Sequence, residues 1–540
     1  MKGRILSSVA MSAIGVSMLV AAMLAGSASG GTQAASKKQA GGSITITSRS
    51  DFDYVDPGLS YFSHTWTMMS ASQLTLLYYP HVEGAAGGRL SPMASQGMPK
   101  VSNNGKTYTF TIKKGFKFSD GTAVTSANFK RAFDRGVNKT MQSPASSFLD
   151  DVASWKAPNP STFVVVQKKV APDFMARMSM MFFAAVPANL AFTADGVKAP
   201  TVSAGPYYLK EWNAKTSALM VRNPFWKNSV EPFKSLGFKN NLDQVRWIVG
   251  ADPATQRLQC EKGEADLCAF PPTQAKELYD KYGLNKGQFF VKPQSVLWYI
   301  AMNTTRPIFT GNTALRQAVS NALDRKFMTA QHGYLAGKRT DQFLPYSMPG
   351  FKDADIYSLK GPNYTKAKAL ANGKTRDGKA VMYTSNVGVG PPIAQSTQFN
   401  LKQIGIDVEI KLLDRVVQHE KSATKGEPFD LTYEGWGMDY PDPANFINVL
   451  LDGRRIQPDN NVNVSYFNDP KYNALMDKAY GLAGQPRLNA YAALDKALMK
   501  DAAPVAPYIS TNARVLTSKK VGCYGYTSIQ GSLLTQICVK

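Results

Sequence analysis

Histidine and cysteine are scarce in this chain, with four of each among 540 residues. The histidines (His64, His81, His332, His419) form neither HExxH nor any paired spacing, so no zinc-hydrolase signature is present. No GxSxG elbow occurs, which removes the commonest serine-hydrolase pattern. Gly333 to Lys338 (GYLAGK) lacks the phosphate-loop spacing and its hydroxyl residue. No GxGxxG opens a helix, and Gly388-Val389-Gly390 runs into two prolines, which suits a loop. Charged residues are only 19%, without an arginine-rich arm or a finger motif, so a nucleic-acid partner is not expected. Beyond the N-terminus there is no second long hydrophobic run, so the rest of the chain reads as soluble. Enzymatic activity is not expected, and neither a cofactor nor a metal is called for.

What is present is a large, ordered, loop-rich globular chain. Hydrophobic residues make up 44%, enough for several cores and two to four domains. Lys2 and Arg4 precede an uncharged stretch from Ile5 to Gly26, and small residues follow. We read residues 1–28 as a cleaved signal peptide. Leu24-Ala25-Gly26-Ser27 has the shape of a lipobox with serine in place of the lipidated cysteine, and a serine hydroxyl cannot form the thioether. The expectation is therefore an exported, non-lipidated protein, periplasmic or at the cell surface. Losing Lys2 and Arg4 lowers the formal charge from +23 to +21, spread in ones and twos, which fits solubility or weak attraction to an anionic envelope. An exported chain with an even cysteine count admits disulfides in three pairings. The local pairs, Cys260 with Cys268 and Cys523 with Cys538, are the expected ones.

Residues 29–42 read as a tether of Ser, Gly, Ala, Lys and Gln. Ser43 to Thr47 alternates as a strand. Tyr108, Phe110 and Ile112 alternate on one strand, Phe116 and Phe118 are assigned to a second, and Thr125 is the N-cap of a following helix. Gly205-Pro206 opens a strand with Tyr207 and Leu209, and Leu219 and Val221 lie on another. A helix turns into a strand over residues 253–270, and WYIAMNTT is a strand leading to a helix with Leu315, Val319 and Ala322 on one face. Residues 381–413 read strand, glycine-rich turn, helix, strand, an α/β pattern with largely parallel strands. Residues 466–506 read as mostly helical. FDLTYEGWGMDYPDP, Phe429 to Pro443, begins as a strand and ends in a Pro-bounded loop carrying Asp439 just after Trp436. A lone acid beside an indole at a strand end suits a cation in a partly dry cleft.

Five segments together resemble one family: GKTYTFTIKKGFKFSDGTAVTSANF (105–129), SAGPYYLKEW (203–212), AMNTTRPIFTGNTALRQAVSNALDR (301–325), LKQIGIDVEI (401–410) and FDLTYEGWGMDYPDPANF (429–446). They are similar to the extracytoplasmic solute-binding proteins of peptide ABC transporters, family 5. The resemblance implies an α/β, two-lobed periplasmic-binding-protein-like fold of type II, closing about a hinge. Lobe I would take 44–80, 203–296 and 507–540, an extra subdomain 81–202 would be inserted in it, and lobe II would be 297–506. It implies a monomer that captures short peptides and delivers them to a permease and its ATPase, touching the membrane only there. A non-peptide solute (a metal complex, a sugar or a signal molecule) is the alternative, with a secreted hydrolase a further one. By resemblance Asp439 receives the ligand's α-ammonium and Trp436 walls the pocket, while Asn303 and the strand at Trp298 bind peptide main chain. Each has an alternative role: Asp439 as a turn residue, Trp436 as core packing, Asn303 as a tie within a hinge strand. Asp442, Asp120 and Asp324 are expected to be structural. No position is assigned to the group binding the ligand carboxylate.

Overall fold

The computed structural model describes residues 41–226 and 235–540. The expected leader, the Ser27 site and most of the tether lie outside the described residues. No helix among those described is long and apolar enough to cross a membrane.

One eleven-stranded sheet organises the chain. At one end lie Tyr207–Asn213, Ser217–Arg222, Gln244–Val249, Ser43–Ser48 and Leu267–Cys268. At the other lie Leu431–Gly437, Lys379–Ser385 and Asp407–Leu413. Two long strands, Phe289–Met302 and Val505–Thr517, pair antiparallel between them, and Gly337–Arg339 adds to the second. The sheet is mixed. The strand–turn–helix–strand read over 381–413 is parallel, with Gly390–Lys402 as its helix. The central pairings are antiparallel, so the largely parallel sheet expected from that pattern is corrected. An apolar run buried on both faces looks the same in either direction. The long strand alternates accordingly: Leu297, Tyr299 and Ala301 pack into one core, and Ile300 and Met302 into another on the opposite face.

A separate four-stranded antiparallel sheet, Lys100–Ser102, Thr107–Thr111, Thr162–Gln167 and Val152–Asn159, packs under the helix Ser126–Gly136. Its Phe110, Phe129, Phe133 and Phe163 belong to the core that also holds Ile44 and Met220. Thr125 caps that helix as expected, its backbone N–H donating to Asn128 Oδ1 at 2.7 Å. Phe116 and Phe118 do not form the second strand. Gly115, at φ 98°, breaks the alternation, and only an isolated bridge joins Lys117 to Ala123. Phe118 still reaches the core, from a turn closed by Thr122 O. Inside this region Arg135 and Asp56, both fully buried, form an ion pair.

Two disulfides join the local pairs, Cys260 to Cys268 and Cys523 to Cys538. The first closes the helix Pro253–Lys262, ended by Gly263 at φ 80°, onto its following strand. It lies in a small core with Phe289 and Leu516, where the long strands start and finish.

Candidate functional site

The strand Leu431–Gly437 pairs antiparallel with Phe289–Met302, which sets Trp436 opposite Leu297 and Gly435 opposite Trp298. Directly opposed residues share a face, and neighbours along a strand do not. Trp298 and Trp436 therefore lie on opposite faces, and the structure does not bring them to one site. Trp298 stacks on Tyr433, centroids 5.0 Å apart and planes within 13°, with the Arg415 guanidinium 5.9 Å above. Gly435 makes that possible: a Cβ there would lie 2.6 Å from the Trp298 ring. Asn303 is buried, donates to Phe429 O at 3.1 Å, and accepts from the Thr305 N–H and hydroxyl. Its side chain is fully engaged in the turn that follows the long strand.

Trp436 packs against the core around Phe446 and Met476, and its indole N–H is buried without an acceptor among the described residues. Asp439 follows three residues later, half-buried at the strand end. Asn445 holds it at both ends: the Asp439 N–H donates to Asn445 Oδ1 at 2.9 Å, and Asn445 Nδ2 donates to Asp439 Oδ2 at 2.7 Å. Burial pushes the Asp439 carboxyl up to about 6, against the lowering effect of hydrogen bonds from Asn445 and the Tyr61 hydroxyl. No Lys, Arg or His pairs with it among the described residues, whereas twenty-two such pairs occur elsewhere. Tyr61 comes from the opposite wall, where it packs edge-on to Phe182. Burial and the neighbouring Asp439 hold its phenol well above the ordinary value. Sequence reasoning missed Tyr61, because nothing local links it to a loop so far downstream.

The next residue, Tyr440, crosses the junction. Its ring is buried in the core of the N-terminal region, and its hydroxyl donates to Asp173 Oδ2 at 2.7 Å. Asp173 also accepts from Tyr480 at 2.5 Å and pairs with Arg177 at 2.8 Å, while Arg177 donates to Tyr480 at 2.6 Å. Arg177 and the two phenols hold the Asp173 carboxyl below its ordinary value despite its burial. Asp442 accepts from the Ala444 N–H and pairs with Arg487 at 2.8 Å. Asp324 likewise accepts from the Phe327 N–H, and Asp120 from the Thr122 N–H. These three aspartates are structural.

Beside Tyr440 and Asp173 opens a cleft of about 70 Å³, bounded also by Lys169, Arg454 and Arg455. That is room for roughly two waters. Asp439 precedes Tyr440 in the chain and receives a hydrogen bond from the Tyr61 hydroxyl, and neither Asp439 nor Tyr61 lines this cleft.

Comparison with known proteins agrees with this architecture. The family profile described as "Bacterial extracellular solute-binding proteins, family 5 Middle" matches residues 89–458, and the chain belongs to that family. Its fold is the two-lobed periplasmic-binding-protein fold of the family's solved members. The "Probable D,D-dipeptide-binding periplasmic protein DdpA" of Escherichia coli (strain K12) is 27% identical over 475 residues, covering 86% of this chain and 87% of that protein. Among solved structures, "Clavulanic acid biosynthesis oligopeptide binding protein 2" superposes with a TM-score of 0.84 at 23% identity, covering 93% of this chain and 96% of the other. The binding protein AgaA from A.tumefacien R10, in complex with agropinic acid, superposes with a TM-score of 0.76 at 21% identity, covering 92% and 99%.

Proposed function

We propose that this protein is the capture component of an ABC importer, holding a short peptide between two lobes and passing it to a permease without chemistry. The observation that carries the reading is Asp439, a desolvated carboxylate with no cationic partner among the described residues, at the junction of two cores. A ligand α-ammonium supplies the missing charge and displaces the Tyr61 hydroxyl. Such a charge-assisted bond is worth about 1.5–3 kcal/mol. The buried, unpartnered indole N–H of Trp436 meets a ligand carbonyl. In this reading Trp298 and Asn303 act through the sheet and its turn, where they find their internal partners. The names of DdpA and of the oligopeptide binding protein support a peptide cargo.

In this reading lobe I is 44–80, 203–296 and 507–540, carrying 81–202 as an inserted subdomain, and lobe II is 297–506. The long strands cross between them near residues 296 and 507. The protein is exported and works as a monomer. The test is native mass spectrometry of protein purified from its own expression host, followed by sequencing of the released material. Short peptides with free amines are expected, and Asp439→Ala should lose about 10- to 100-fold in affinity for them. A second reading, a non-peptide solute, draws on AgaA and its agropinic acid. A single non-peptide mass in the released material would establish it in place of the first.

A further inference from the structure

We propose that Tyr440 and Tyr480 form a latch on Asp173 that holds the two lobes together before a solute arrives and sets how fast solutes enter and leave. This rests on the lobe boundaries proposed for the chain, whatever its cargo.

Charge is distributed so that the junction can part. Each of the twenty-two ion pairs among the described residues joins two residues within 297–506 or two residues outside it. Asp173 and Arg177 pair at 2.8 Å on the inserted subdomain, four positions apart, and stay paired whichever way lobe II moves. Arg487 and Asp442 pair at 2.8 Å within lobe II. What crosses the boundary is neutral. Tyr440 donates to Asp173 Oδ2 at 2.7 Å. Tyr480 donates to Asp173 Oδ1 at 2.5 Å and accepts from Arg177 Nη2 at 2.6 Å. Separating a buried ion pair strands a charge and is strongly unfavourable. Withdrawing two phenols leaves the carboxylate with its guanidinium, so these contacts can release and re-form.

The two phenols move as one piece. The Arg487 guanidinium bonds both Asp442 oxygens, at 2.8 and 3.1 Å, and donates to the Ala479 carbonyl at 3.3 Å and the Tyr480 carbonyl at 2.5 Å. It thereby ties the loop carrying Tyr440 to the end of the helix Pro470–Tyr480. Both rings reach into the core of the N-terminal region, where Phe148 meets Tyr440 edge-on at 6.4 Å between centroids. Apart from bonds made by the two long strands, the other side-chain hydrogen bond from lobe II to the rest, among the described residues, is the one between Asp439 and Tyr61. Releasing the latch and uncovering Asp439 are therefore one movement.

The experiment uses the full chain, freed of bound solute. Small-angle scattering of the wild type should give a radius of gyration matching the structure, and Tyr440→Phe should raise it. Tyr480→Phe, at a partly exposed ring, is the milder variant and should act in the same direction. Stopped-flow tryptophan fluorescence with tri-alanine then reads exchange. Each variant should speed association and dissociation by a common factor of about 10- to 100-fold and leave Kd near the wild-type value, because the latch is shut with and without solute. A solute-free wild type that is already expanded would overturn the latch. Variants that melt at a lower temperature but keep wild-type scattering and rates would overturn it too, since the network would then be a fixed strut. A faster dissociation alone would mean that a hydroxyl touches the solute, and would also overturn it. No response to tri-alanine would count against the peptide reading, while the scattering would still decide the latch.

Discussion

Two sets of charged side chains sit at the same junction and are built on opposite principles. Asp173, Arg177, Tyr440 and Tyr480 form a network in which the buried carboxylate is matched by one guanidinium and two phenols. Asp439, beside Tyr440, and Arg455, further along the chain, form no ion pair among the described residues. The first set resembles the buried Arg135–Asp56 pair of the N-terminal core, where a charge is kept because its partner never leaves. In the proposed function the ligand supplies what the second set lacks. In the proposed function, an ion-pair partner separates the groups that hold the walls together from the groups that meet a solute. Residue type does not: Arg454 and Arg455 are adjacent and identical, yet among the described residues one makes four side-chain bonds to acids and the other none.

Breaking the closed set should have the largest effect. Arg177→Ala leaves Asp173 buried without its counter-charge and should cost about 3–5 kcal/mol, measured by denaturant unfolding of the empty protein. Removing the open set should act with the opposite sign. The Asp439 carboxyl sits near 6, above its ordinary 3.8. The empty fold is thus favoured while that group is protonated, and the advantage disappears as pH rises through about 6. Asp439→Asn should stabilise the empty protein at pH 7 by as much as about 3 kcal/mol while weakening peptide binding. A loss of stability in that variant would show that Asp439 belongs with the closed set.

A smaller effect is expected at the strand that carries both. Gly435→Ala forces a Cβ against the Trp298 ring and should cost about 1–3 kcal/mol, read as a lower melting temperature. The smallest is a titration. An ammonium requires the ionised carboxylate, so affinity should be level above pH 6 and fall by up to about tenfold per unit below it. Calorimetry at pH 5, 6 and 7 would measure this, and a flat profile in the wild type would separate Asp439 from the ligand.

Much of the fold was legible because it is local. The Thr125 cap, the helix-to-strand turn within 253–270 and the 381–413 unit follow from spacing and turn chemistry within a few residues. The antiparallel crossing was not legible, since Leu297 to Met302 reads as continuous apolar chain whichever way its partners run. At the site, Asp439 and Trp436 stand out through their sequence context, while Trp298 and Asn303 were grouped with them without knowledge of register. Pairing Leu297 with Trp436 puts Trp298 on the other face, and that register is set by contacts more than 130 positions apart. Tyr61 and Arg455 carry no local signal, because what marks them is which neighbours they find, or lack, in three dimensions.

The two long strands have a mechanical consequence. Phe289 and Leu516 are rooted in the small core beside the Cys260–Cys268 bridge, and Ala301 and Val505 in a core at the far end. Between them runs a ladder interrupted at Pro293–Leu297 and at Trp298–Tyr299. Strand pairing resists sliding within the sheet, and the ladder bends most readily out of its plane where these rungs are missing, even with other strands paired on either side. It acts as a flexure with one soft direction. Solutes of different outline would then all register as the same variable, the curvature of a short ribbon, and a docking machine would need to sense nothing else.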